Sequence, residues 1–144
     1  IAFGDTTGMA NPVQVRGFFE RAREELPSFE LTAHFHNTRG QGLANVLAAL
    51  ESGIDSFESS FGELGGCPVP RGATGNIATE DLVSMLHEMG VETGIDLERL
   101  LGCARRVAGE PDPAWPMAAT FSATARSSGA RTSRSVKCVR RISS

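Results

Sequence analysis

Hydrophobic positions along this chain recur in two periods, one of about 2 and one of about 3.6, and the switches between them mark the elements. Residues 1–3 read as a short strand running into the loop Gly4-Asp5-Thr6-Thr7-Gly8. Asn11 followed by Pro12 supplies an N-cap and a first-turn proline, the favoured chemistry for starting a helix. Over 13–26, Val15, Phe18, Phe19, Ala22 and Leu26 form one apolar stripe, with Arg16, Glu20, Arg21, Arg23 and Glu24 largely outside it. Pro27 stops that helix. A second strand is predicted over 30–36. A helix over about 40–52 follows, with Leu43, Val46, Leu47 and Leu50 inward and Gly53 just past its end. A third strand, 54–59, leads into a glycine-rich loop over 61–75. The next helix carries Glu80 and Asp81 in its first turn, where negative charge complements the helix dipole, and it ends at Gly90. Asp96 is placed to cap a last helix reaching about residue 108.

Strand–helix repeats with short links imply an α/β fold of parallel strands joined by right-handed crossovers. Three such units plus an extra helix are too few to close a barrel, which needs about eight, so the pattern predicts a barrel segment. An open doubly wound sheet is the other arrangement these units allow. Past Pro111-Asp112-Pro113 the periodicity ends. Residues 118–144 are rich in Ala, Ser, Thr and Arg and have few large apolar groups to offset the entropy of ordering them. A Pro-containing linker and a disordered basic tail are therefore expected over 111–144. That tail reads either as an arm for an anionic partner or as a frameshifted, non-native extension.

Charge sharpens this division. From Ala118 onward every charged residue is basic (Arg126, Arg131, Arg134, Lys137, Arg140, Arg141), so all 17 acidic residues lie in the body. An acidic body argues against nucleic acid as a partner. No apolar run approaches the roughly 20 residues that a membrane span needs. The first residues, Ile1-Ala2-Phe3-Gly4-Asp5, lack a signal-peptide pattern and read as a strand entered partway, the expectation for a piece of a longer parent. The 3 cysteines, Cys67, Cys103 and Cys138, form no CxxC pair, which makes a disulfide framework or zinc knot unexpected and points to a reducing compartment, the cytoplasm.

Several residues can carry chemistry. In His34-Phe35-His36 the alternation of a strand puts both imidazoles on one face, a natural half-site for a divalent metal at the C-terminal end of a parallel strand. Taken alone, two core histidines satisfied by hydrogen bonds would give the same pattern. Cys67 lies in Gly65-Gly66-Cys67-Pro68, a loop that can present a thiol as acid or base if its pKa is lowered, or hold an inert one. Asn76, just before a helix, fits an N-cap, and its amide oxygen also fits a third hard ligand. Asp5 follows the first strand and so sits at the same end as His34 and His36, either as a catalytic carboxylate or as an Asx-turn residue with Thr7 and Gly8. His87 reads as a surface histidine near a helix C-terminus, Cys103 as packing, and Trp115, between prolines, as a surface anchor. No GxGxxG follows a strand, so a dinucleotide site is unsupported.

The strings GDTTG (4–8), HFHNTRGQGLAN (34–45), GELGGCP (62–68) and GATGNIATEDLVSML (72–86), in this order and at these separations, resemble the 3-hydroxy-3-methylglutaryl-CoA lyase family. The resemblance covers about residues 1–108. The His-x-His-Asn run is shared with a wider barrel superfamily, whereas Gly-Gly-Cys-Pro with the later Gly-Asn marks the lyase branch. It implies that residues 1–110 are the C-terminal portion of a TIM (β/α)8 barrel. It implies further that His34, His36 and Asn76 are metal ligands, that Cys67 and Asp5 are catalytic, and that His34 also takes part in proton transfer. The implied cofactor is Mg²⁺ or Mn²⁺, the substrate an acyl-CoA, and the parent a homodimer with neither nucleic acid nor membrane as partner. The implied reaction is retro-Claisen cleavage of 3-hydroxy-3-methylglutaryl-CoA to acetoacetate and acetyl-CoA.

The chain departs from the family's pattern in lacking its N-terminal Arg-Asp pair, and it carries Asn37 where Asp is common. Arg39 and Arg71 are read as loop cations facing solvent or the CoA phosphates, not as substitutes for that arginine. The isolated chain is accordingly expected to be inactive. Two other readings stand beside this one: a lyase for another 3-hydroxyacyl-CoA such as citramalyl-CoA, and an inactive partial barrel that associates with a partner. A Claisen-type synthase of the same superfamily is disfavoured by the Gly-Gly-Cys-Pro loop.

Overall fold

The computed structural model describes residues 1–63, 75–108 and 133–137. Strands β1 (Ala2–Asp5), β2 (Thr32–Phe35) and β3 (Ser56–Ser60) alternate with helices α1 (Pro12–Glu25) and α2 (Gly42–Glu51), and α3 (Thr79–Glu88) and α4 (Leu97–Ala108) follow. The three strands run parallel in the order β1-β2-β3. Each β–α–β crossover returns the chain in the same direction, so the C-terminal strand ends, and the loops that leave them, gather along one edge.

Register decides what each face of the sheet carries. Phe3, Ala33 and Phe57 are aligned across the strands, as are Gly4, His34 and Glu58. The first row belongs to an apolar face: Ala33 and Phe57 are completely buried, and Phe35 nearly so. Val15 and Phe19 of α1, Val46, Ala49 and Leu50 of α2, and Leu82 and Leu86 of α3 complete that core. Phe3, Phe18, Phe19 and Phe35 meet edge to face, with ring centroids 5.0–6.5 Å apart, the arrangement aromatic quadrupoles favour. The opposite face is polar, and there Thr32 Oγ1 and Ser56 Oγ hydrogen-bond at 3.0 Å.

Local chemistry explains the element ends. At the start of α1, Asn11 Oδ1 accepts from the backbone N–H groups of Val13 and Gln14, while Gln14 Oε1 accepts from Asn11 N–H, each at 3.1 Å. This reciprocal capping box satisfies donors the helix itself cannot. Asp96 caps α4 by accepting from Arg99 N–H at 3.1 Å, as expected. Helix α2 keeps three of the four residues of the expected stripe, with Val46 and Leu50 buried and Leu43 packed against the core. Asn45, Val46, Ala48, Ala49 and Leu50 are buried, whereas Leu47 is exposed. Alanines let the helix sit close to the sheet, and Asn45 turns inward because its Nδ2 donates to Ala10 O at 3.0 Å.

Two expectations are corrected. Cys103 is exposed rather than packed into the core. Residues 133–137, expected to be disordered with the rest of 118–144, form strand β4, which pairs antiparallel with β3 from Ser56↔Lys137 to Ser60↔Ser133. The second edge of β3 offers a row of backbone donors and acceptors, a ready template for any segment free of proline and glycine. The remainder of the expected linker and tail, with Trp115 and Cys138, lies outside the described residues.

Candidate active site

His34 closes the polar row of β2, and His36 follows one residue beyond the strand on the same side. Their rings face each other, with Nε2 atoms 3.1 Å apart and planes inclined by 52°. His36 is buried, which pushes its pKa down; the neighbouring His34 pushes it further down, and the Asp5 carboxylate opposes both. The His36 imidazole is therefore neutral near pH 7, the form that can donate a lone pair. Its Nδ1 is also buried and makes no hydrogen bond among the described residues.

Glu58, aligned with His34 across the sheet, brings Oε2 within 3.3 Å of His34 Nδ1. The approach has charge-pairing distance without the alignment of a hydrogen bond. A carboxylate on that side holds the ring with Nε2 toward His36, the way such groups orient metal-bound imidazoles. Glu58 escaped the sequence reading. Its only signal was a lone acid among serines in a strand, and the 24-residue separation from His34 hid the pairing.

Asn76 is brought to His36 by a backbone bridge. It is buried, and its Nδ2 donates to Ser60 Oγ at 2.8 Å, which fixes the rotation of the amide. It does not cap the following helix: α3 begins at Thr79 with Ala78 as N-cap. Asp5 ends β1 and closes the loop that follows it, with Oδ1 accepting from Met9 N–H at 3.2 Å and Oδ2 from Ala10 N–H at 3.0 Å. Its Asx-type contacts thus reach Met9 and Ala10 rather than Thr7 and Gly8. Gly8, at φ 66°, lets this loop lie against β2; a Cβ there would fall 3.0 Å from the His36 Cβ and closer still to Thr38.

The structure thus gathers His34, His36, Glu58, Asn76 and Asp5 at the C-terminal ends of parallel strands. Cys67 and Arg71 lie outside the described residues. Arg39 is exposed, and His87 is a surface residue whose Nε2 hydrogen-bonds Thr93 Oγ1 at 2.9 Å. Among the described residues no three side chains drawn from His, Cys, Asp and Glu converge to hold a metal. An ion here would need the Asn76 oxygen or groups beyond those residues. Two observations fit such an ion. Cis ligands at about 2.1 Å around an octahedral cation are about 3.0 Å apart, close to the observed separation of the two imidazole nitrogens, and His36 is held neutral by burial.

The HMGL-like family model matches residues 1–107. The hydroxymethylglutaryl-CoA lyase YngG of Bacillus subtilis is 47% identical over 105 residues, covering 73% of this chain and 35% of the relative. That of Pseudomonas mevalonii is 42% identical over 127 residues, covering 88% and 42%. Among solved structures, an HMG-CoA lyase from Acinetobacter baumannii, in complex with coenzyme A and 3-methylmalate, superposes with a TM-score of 0.69 at 53% identity, over 73% of this chain and 34% of that one. The Bacillus subtilis HMG-CoA lyase gives 0.71 at 43% identity, over 82% and 41%. The chain therefore spans about a third to two fifths of the length of the relatives it matches, and its parallel α/β segment is a portion of their TIM barrel.

Proposed function

We propose that this chain, which belongs to the HMGL-like family, carries the His34–His36–Asn76 half of a metal-dependent site that cleaves 3-hydroxy-3-methylglutaryl-CoA to acetoacetate and acetyl-CoA. The observation that carries the reading is the pair of converging imidazoles, one neutral by burial and the other backed by Glu58. His34 and His36 through Nε2, with the Asn76 amide oxygen, would hold Mg²⁺ or Mn²⁺, which when bound supplies Lewis-acid polarisation of the substrate oxygens.

The chain's own residues do the rest. The proton of the tertiary hydroxyl passes to the Asp5 carboxylate, because His34, with Nε2 on the metal and Nδ1 toward Glu58, keeps no lone pair for it; His34 serves the transfer by orienting the hydroxyl. The bond between the hydroxyl-bearing carbon and the thioester methylene then breaks: the oxygen lone pair becomes the carbonyl of acetoacetate, and the bond's electrons pass to the enolate of acetyl-CoA. Cys67 returns a proton to that carbon. Asp5, beside His36, is the further carboxylate of the site. The acyl-CoA substrate, a cytoplasmic location and homodimeric assembly belong to the same proposal. Among the described residues no helix is long and apolar enough to cross a membrane.

The test grafts residues 1–107 into the matching segment of the Bacillus subtilis enzyme. The chimera should release acetoacetate with Mg²⁺, and His36→Ala and Cys67→Ala should each lower turnover by about 100-fold or more. Undiminished turnover in both variants would overturn the assignment; a preference for citramalyl-CoA in the same assay would redirect its substrate. A second reading, an inactive partial barrel that docks on a partner, is favoured by one observation. Phe3, Val13 and Phe18 line an open groove beside β1, and Val13 is 76% exposed. A monodisperse monomer in light scattering of the 144-residue chain would count against it.

A further inference from the structure

Asn37 spends each of its hydrogen-bonding groups on a different part of the site. Its Oδ1 accepts from Gly42 N–H, the first residue of α2, at 3.1 Å. Its Nδ2 donates to Glu63 Oε1 at 3.4 Å, and its backbone N–H donates to Gly75 O at 2.8 Å. Its own carbonyl accepts from Gly40 N–H at 2.8 Å. One residue thus joins the end of the histidine-bearing strand to the start of α2 and to the chain at Glu63 and at Gly75. Gly75 precedes Asn76, which bridges to His36, and Ile77 N–H donates to Phe35 O at 3.2 Å while Ser60 N–H donates to Ile77 O at 3.1 Å.

The chemistry of the contact demands an amide. Gly42 N–H is a donor, so an oxygen must face it, and the other end of the side chain must then face a carboxylate. An aspartate would serve Gly42 equally well but would set one negative oxygen against another at Glu63. Glu63 depends on external support, because it is the single non-glycine among the described residues at positive φ, 57°, and the neighbouring Gly62 stands at 59°. A side chain in that region is held at a cost of about 1 kcal/mol or more. The Glu80 carboxylate anchors the same turn by accepting from Gly62 N–H at 3.0 and 3.2 Å.

We propose that Asn37 is a positioning residue: its side-chain amide through Glu63, together with its backbone N–H through Gly75, sets where Asn76 stands relative to His34 and His36. Its consequence for ligand binding rests on the metal-site reading above, whereas the Asn37–Glu63 contact does not. The experiment uses the 144-residue chain with Asn37→Asp, Glu63→Gln and the two combined. Amide hydrogen exchange reads the backbone at Gly62, Glu63 and 75–77, and Mn²⁺ titration reads the site. Asn37→Asp should lower protection at those amides, and weaken Mn²⁺ binding, by about tenfold. Glu63→Gln alone should change little, and added to Asn37→Asp it should restore most of both losses, a rescue that a purely structural role for Asn37 would not give. Exchange in Asn37→Asp equal to that of the parent chain, or no rescue by Glu63→Gln, overturns the proposal. If the parent chain takes up no Mn²⁺, the metal reading fails, and the exchange rescue still decides the role of Asn37.

Discussion

Gly42 and Gly17 are both helical glycines, and replacing each by alanine should move stability in opposite directions. Alanine in place of glycine within a helix gains about 0.5–1 kcal/mol from backbone entropy and propensity. At Gly17 on α1 a new Cβ meets nothing within 4 Å, so the whole gain should appear. At Gly42 the Cβ would overlap the Ile77 side chain and come within 3.2 Å of Asn37 Oδ1 and 3.4 Å of His36 O. Ile77 is 1% exposed and has no outward route. Overpacking of this kind costs about 1–3 kcal/mol, which exceeds the helix gain. Gly42→Ala should therefore lose about 1–2 kcal/mol in urea unfolding while Gly17→Ala gains about 0.5–1. A Gly42→Ala chain as stable as the parent, alongside a stabilised Gly17→Ala chain, would refute the close approach of α2 to the segment that carries Asn76.

Three further outcomes follow from the same geometry. Asn11→Ala removes the acceptor of two N–H groups at the start of α1 and should cost about 1 kcal/mol in the same unfolding assay. Glu58→Gln should weaken Mn²⁺ binding by about tenfold, read by titration, because the carboxylate beside His34 Nδ1 is lost. His36 has a pKa lowered below its ordinary 6.5 by burial, so the unfolded chain takes up that proton first. Stability should then fall as pH drops from about 7 through the unfolded value toward the folded one, and His36→Gln should flatten that slope in urea melts.

Much of the architecture was legible because it is local. The Asn11-Pro12 start of α1 and the Asp96 cap of α4 are set by side chains within three residues of the donors they satisfy. The pairing of His34 with His36 follows from the two-residue period of a strand. What was illegible depends on register between distant segments. Nothing near Glu58 tells that it will stand opposite His34, or that Asn76 will turn to Ser60 instead of capping α3. On α2 only Leu47 departs from the legible stripe, because close packing turns Ala48, Ala49 and the anchored Asn45 inward beside Val46 and Leu50. Strand β4 was missed because a polar segment gave no periodic signal, and its partner edge exists only once β3 is in place.

The central claim is that His34 and His36 jointly hold one divalent metal, and pulsed electron paramagnetic resonance of the Mn²⁺-loaded chain tests it most directly. The account predicts one bound Mn²⁺ coupled to the nitrogens of two imidazoles, with one coupling lost in His34→Ala and one in His36→Ala. Mn²⁺ bound without nitrogen coupling, or with couplings indifferent to both substitutions, would contradict it.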